Sequence, residues 1–183
     1  MKYILAFTIF IFILFCHDIN ANGRVINDKE YLYQIRNNEV IVTKIYPIKD
    51  LKQIKSIKYN NDFYPQQLYV NDKFLIVLGS IYVKDKPKAK IIFCDKESFN
   101  FQKEINIDGY IVSSKKENNE LFIISQYYNE LFNNVTVFKI NLSNTKKYHE
   151  YNYIGNVHNV YYGNNSIYII DSFYPENKNF TTY

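Results

Sequence analysis

Four polar turns, each opening an apolar run, recur at nearly even intervals and constrain this chain more than any other feature. Asn27-Asp28-Lys29 precedes Glu30-Tyr31-Leu32-Tyr33, and Asn71-Asp72-Lys73 precedes Phe74-Leu75-Ile76-Val77. Asn118-Asn119-Glu120 precedes Leu121-Phe122-Ile123-Ile124, and Asn164-Asn165-Ser166 precedes Ile167-Tyr168-Ile169-Ile170. The leading asparagines stand 44, 47 and 46 positions apart. Asn and Asp suit such turns because their side chains bond the local backbone and tolerate left-handed geometry. A strand-opening turn repeated at this spacing predicts an array of similar β-sheets, one per period.

Four strands can be read in each period. The first repeat gives Arg24–Ile26, Tyr31–Arg36, Val40–Tyr46 and Gln53–Tyr59. The second gives Gln67–Val70, Phe74–Ser80, Ala89–Asp95 and Gln102–Asp108, and the third Tyr110–Lys115, Leu121–Tyr128, Val135–Leu142 and Lys147–Ile154. The second strand of each repeat is almost wholly apolar and is expected to be buried on both faces. Fourth strands alternate, as in Glu104-Ile105-Asn106-Ile107-Asp108, which fits one wet face. Ile76, Ile92 and Ile123 are expected in the core. The fold class that follows is all-β: a β-propeller fragment of about three and a half four-stranded blades, with a β-sandwich as the alternative. Blade boundaries fall near 24–60, 62–109, 110–155 and 156–183. The last blade is expected to be incomplete, with Asn156–Tyr162 and Ser166–Tyr174 followed only by Phe180–Tyr183, so a truncated ring is expected.

The N-terminus predicts export. Lys2 precedes an uncharged run of 13 residues, Tyr3 to Phe15, and the polar residues His17, Asp18 and Asn20 follow it. That run has the length of a signal-peptide core and falls short of the roughly 20 residues a membrane span needs. The small Ala21 places cleavage after it, leaving a mature chain of 22–183 with no transmembrane segment, secreted or at the cell surface. Phe15 before Cys16 is the wrong neighbour for a lipidation site. Loss of Cys16 leaves Cys94 alone, so no internal disulfide forms; within Ile91-Ile92-Phe93-Cys94 it reads as a small buried hydrophobe. The net charge of +4 comes with lysines distributed among acids, without a stripe or run, which excludes a nucleic-acid footprint.

Residues that carry chemistry are sparse. His149 and His158 lie too far apart in sequence for a metal pair without a third ligand, and read as surface or strand-end residues. The arginines are only Arg24 and Arg36, too few for a carboxylate clamp, and tryptophan is absent. Asp28, Asp72, Asp95 and Asp108 stand at turns without the clustered oxygens of a calcium loop, so they read as solvated turn residues. Asn134, Asn141, Asn164 and Asn179 each begin an N-x-[ST] triplet, which matters only in a glycosylating host. Tyr127-Tyr128, Tyr161-Tyr162 and Phe173-Tyr174-Pro175 suit either packing between blades or a face that binds sugar or peptide. No catalytic, cofactor-binding or metal-binding residue is assigned.

The stretch Asp62-Phe63-Tyr64-Pro65-Gln66-Gln67-Leu68-Tyr69-Val70, continued by Asn71-Asp72-Lys73-Phe74-Leu75-Ile76-Val77-Leu78-Gly79-Ser80, resembles the secreted β-propeller-domain family of bacteria and archaea, itself distantly similar to WD-repeat propellers. Tyr31-Leu32-Tyr33 with Val40–Pro47, and Ile107-Asp108-Gly109-Tyr110-Ile111-Val112-Ser113-Ser114, resemble further segments of it. The likeness spans residues 24–183, with a shorter lead-in and fewer blades than members usually have. It implies the propeller fold and export, and no particular reaction or cofactor. The function expected is a non-enzymatic extracellular interaction or scaffold module. Its expected partner is a protein or carbohydrate on the extracellular side, or a chain supplying the missing blades, and not a nucleic acid. The alternatives are a fragment of a propeller enzyme whose catalytic residues lie on other blades, and a reading frame without function.

Overall fold

The computed structural model describes residues 23–128, 133–163 and 166–171. The expected leader, Cys16, the turn residues Asn164 and Asn165, Asn179, and Phe173-Tyr174-Pro175 lie outside the described residues. Fourteen described strands follow one another with a single 3-10 turn, Ile48–Asp50, as the helical element among them. The first sheet holds β1 (Val25–Asn27), β2 (Tyr31–Arg36), β3 (Glu39–Lys44) and β4 (Lys52–Lys58). The second holds β5 (Phe63–Val70), β6 (Phe74–Val83), β7 (Lys86–Asp95) and β8 (Phe101–Asp108). The third holds β9 (Tyr110–Glu117), β10 (Glu120–Tyr128), β11 (Asn133–Asn141) and β12 (Tyr148–Ile154). β13 (Val157–Gly163) and β14 (Ser166–Asp171) pair as a hairpin.

In every sheet the spatial order of strands is their chain order, which is the meander of a propeller blade. Strand pairs are antiparallel, with Tyr33 opposite Val42 and Leu68 opposite Val77. Each predicted strand forms as far as it lies among the described residues, most with ends moved by one to four residues.

The repeat is written in backbone hydrogen bonds. Asp28 Oδ1 accepts from the amides of Glu30 and Tyr31, both at 2.8 Å. Asn71 Oδ1 accepts from the amides of Lys73 at 2.9 Å and Phe74 at 2.7 Å. The structural counterpart of Asn71 is therefore Asp28, one position later than the sequence alignment puts it, because Glu30 is an extra residue before the strand. The third turn is tighter: Asn118 and Asn119 alone join β9 to β10, with Asn118 at φ 51°. Each four-stranded sheet repeats one further bond, from the exit of its third strand to the turn before its second. Ile45 donates to the Glu30 carbonyl at 2.8 Å, Lys96 to Lys73 at 2.9 Å, and Leu142 to Asn119 at 2.8 Å.

The chain divides into two compact units. One closes at Tyr82 and also takes in Lys90–Ile105; the other holds Val83–Ala89 and resumes at Asn106. In the first unit, Tyr33, Ile35, Val40 and Val42 of the first sheet share one buried cluster with Leu68, Leu75, Val77, Ile92 and Cys94 of the second. Phe99 packs edge-on to Tyr31, with ring centres 5.6 Å apart. In the second unit Leu121, Ile123, Ile124, Val135, Phe138 and Ile140 are buried. Ile76, Ile92 and Ile123 are buried as predicted, and so is Cys94.

The expectation that every second strand is buried on both faces holds for β6 and β10 and fails for β2 and β14. Gln34 and Arg36 of β2 are exposed, as are Tyr168 and Ile170 of β14. A sheet packed on one face keeps the period-2 pattern of a half-wet strand, and these two sheets do.

Candidate functional site

Asp28 does more than the solvated turn role predicted for it. Its Oδ2 accepts from the Tyr33 hydroxyl at 3.0 Å and faces Lys96 Nζ at 3.0 Å, so one carboxylate joins the β1–β2 turn of the first sheet to the β7–β8 turn of the second. Burial pushes the Asp28 carboxyl up, but the Glu30 and Tyr31 amides, Lys96 and Tyr33 outweigh it, and the group titrates below the usual carboxylate range. Burial and the same carboxylate push the Tyr33 phenol up, so it stays protonated and donates. Asp95 behaves as a turn residue: its Oδ1 accepts from the Ser98 amide and hydroxyl, both at 2.8 Å, which with the Glu97 amide lowers its pKa. Asp108 pairs with Lys88 at 2.7 Å, and Asp72 is exposed. His149 and His158 are both exposed, on different strands.

A pocket of about 290 Å³ opens in the first unit where the β4–β5 connection meets β7 and β8. Cys94, Ile92, Phe63 and Tyr59 line it below, and Lys90 and Glu104 pair across its rim at 3.1 Å. The Tyr59 hydroxyl is buried without a partner of hydrogen-bond geometry; the group it meets is the Cys94 thiol. Burial pushes both the phenol and the thiol up, so both are neutral at ordinary pH. A neutral buried thiol is a poor nucleophile, which agrees with the packing role predicted for Cys94.

The aromatic pairs separate by strand alternation, because adjacent residues of a strand point to opposite faces. Tyr162 packs: its hydroxyl meets Ser113 Oγ at 2.9 Å and Lys115 Nζ lies 5.3 Å from its ring centre. Tyr161, its neighbour, is 55 % exposed. Tyr128 is likewise exposed, its ring 6.4 Å from that of Tyr110, and Tyr127 is half-buried. Further contacts fasten the hairpin to the third sheet. Gln126 donates through Nε2 to Asn156 Oδ1 at 2.7 Å and accepts the Val157 amide at 3.0 Å. Asp171 accepts the Asn156 amide and faces the Tyr153 hydroxyl, whose pKa burial and the carboxylate push up to about 12.

The other face of the hairpin is open. Tyr161 pairs across the strands with Tyr168, and Asn159 with Ile170, so these four side chains share one face. Counting from the strand-opening turns, Tyr168 and Ile170 hold the places that Tyr33 and Ile35 hold in β2, Ile76 and Leu78 in β6, and Phe122 and Ile124 in β10. Tyr33 and Ile35 are buried against the second sheet, whereas Tyr168 is 61 % and Ile170 49 % exposed. The exposed face has the composition of a sheet-packing surface. This assignment needed the register; the sequence shows only that the run is apolar.

Among the described residues no three His, Cys, Asp or Glu side chains come together as a metal site, and no helix is long and apolar enough to cross a membrane. A sequence model of the family described as Beta propeller domain matches residues 19–134, more than half of the chain. No curated protein matches the chain, and no solved structure matches it.

Proposed function

From the premise that this chain belongs to the β-propeller domain family, we propose that it is an exported, non-catalytic interaction module that docks a partner β-sheet of the blade type on the open face of β13 and β14. The observation that carries this reading is the exposure of Tyr161, Tyr168 and Ile170 at positions whose counterparts, Ile26 of β1 and Tyr33 and Ile35 of β2, pack in the cluster shared with the second sheet. Large apolar groups left open on one sheet face are a docking surface when a complementary sheet is at hand, and tyrosine suits the role because its ring is apolar and its tip is wet. A second copy of this chain brings such sheets with it. Export is supported by the uncharged run from Tyr3 to Phe15 and the small Ala21.

Two measurements test the proposal. N-terminal sequencing of protein recovered outside the cells should read from Asn22; a retained product beginning at Met1 contradicts export. Hydrogen exchange over residues 157–171 should slow as the protein is concentrated. Exchange there that does not depend on concentration contradicts docking at this face.

A further inference from the structure

One short segment carries a net charge equal to that of the whole chain. Residues 44–58 hold five lysines (Lys44, Lys49, Lys52, Lys55 and Lys58) and one acid, Asp50, for a net +4. Taking these from the 22 basic and 18 acidic residues of the whole chain leaves 17 of each, so the rest is neutral. The segment comprises the end of β3, the 3-10 turn and β4, which is an edge strand of the first sheet. Lys44 pairs with Asp50 at 3.7 Å, and Lys58 stands opposite Glu39 in the register. Lys49, Lys52 and Lys55 are exposed and have no ion-pair partner among the described residues.

Large apolar side chains stand out of the same segment. Tyr46 is 65 % and Ile48 59 % exposed, and Ile54 is exposed at the point where the β3–β4 register shifts. Lysines on an edge strand also deter unwanted strand pairing. That role does not call for Lys49, which lies off the strand, nor for an uncovered tyrosine and isoleucine beside it. Cations flanking exposed apolar and aromatic groups are the chemistry of a surface that settles on an anionic bilayer: charge draws it to the headgroups, and the apolar groups enter the interface. A soluble polyanion has nothing to offer Ile48.

We propose that residues 44–58 form a peripheral contact for an anionic lipid surface, with Lys49, Lys52 and Lys55 at the headgroups and Tyr46 and Ile48 in the interfacial layer. The test is co-sedimentation of the exported protein with vesicles of phosphatidylcholine, alone and mixed with phosphatidylglycerol, at low and high salt. Binding should require phosphatidylglycerol and weaken with salt. K49Q/K52Q/K55Q should lower affinity on the order of a hundredfold, and Y46S/I48S on the order of tenfold. These positions are exposed, so both variants should melt like the parent. The proposal is overturned by equal binding to both vesicle types, or by a lysine variant that binds as well as the parent. It is equally overturned if Y46S/I48S binds unchanged while polyphosphate competes fully, which would make the segment a site for soluble polyanions.

Discussion

Lys96 Nζ stands 3.0 Å from Asp28 Oδ2, and this pair closes the boundary between the first and second sheets at the end where both turns lie. The carboxylate is already engaged by two amides of its own turn and by Tyr33. Removing it strips four partners at once. Asp28→Ala should destabilise the fold by about 2–3 kcal/mol in denaturant titration, since hydrogen bonds to a charged group are worth more than neutral ones. Asp28→Asn should cost less, because Asn71 performs the same turn with an amide oxygen.

The same group sets an acid limb. The folded pKa of Asp28 lies below its unfolded value of about 3.9. Its contribution to stability is therefore complete above about pH 4 and is lost as pH falls through the lowered folded value. Melting temperatures measured between neutral pH and pH 2 should fall more steeply for the parent than for Asp28→Asn. Parallel curves would remove Asp28 from the account.

Gly109 is held at φ +95°, and a Cβ there would lie 2.5 Å from the Gln126 carbonyl carbon and 2.6 Å from its oxygen. Both conditions exclude a side chain, since the neighbour in each case is backbone. Gly109→Ala should cost more than about 1 kcal/mol, and an unchanged melt would show that this turn is set differently. Ile76 and Ile123 lie fully buried, and truncation to alanine at either should cost about 2–5 kcal/mol.

Cys94 offers a probe that leaves the fold untouched. Burial raises its pKa, and its side chain is nearly sealed from solvent. A thiol reagent should leave Cys94 unmodified in the native protein and label it in denaturant. Rapid native labelling at Cys94 would mean that the β7 face is open.

The strands and their grouping into repeated sheets were legible in the sequence because alternation and turn chemistry act locally. The turn at Asn71 and the run from Phe74 to Ser80 identify β6 without any knowledge of its neighbours. What a strand packs against is not local, so β2 and β14 were expected to be as buried as β6 and β10, and Tyr161 could not be told from Tyr162. Asp28 was read as solvated because Lys96 is 68 positions away. The basic segment at 44–58 forms no run, because its lysines stand three or more positions apart, and only its summed charge marks it.

The central claim is that the face bearing Tyr161, Tyr168 and Ile170 receives another blade-like sheet. Light scattering across a concentration series of the exported protein, beside a Tyr168→Ser/Ile170→Ser variant, tests it most directly. The account predicts association that grows with concentration for the parent, and a variant that stays monomeric with an unchanged melt. A parent that remains a monomer throughout, or a variant that associates as strongly, would contradict it.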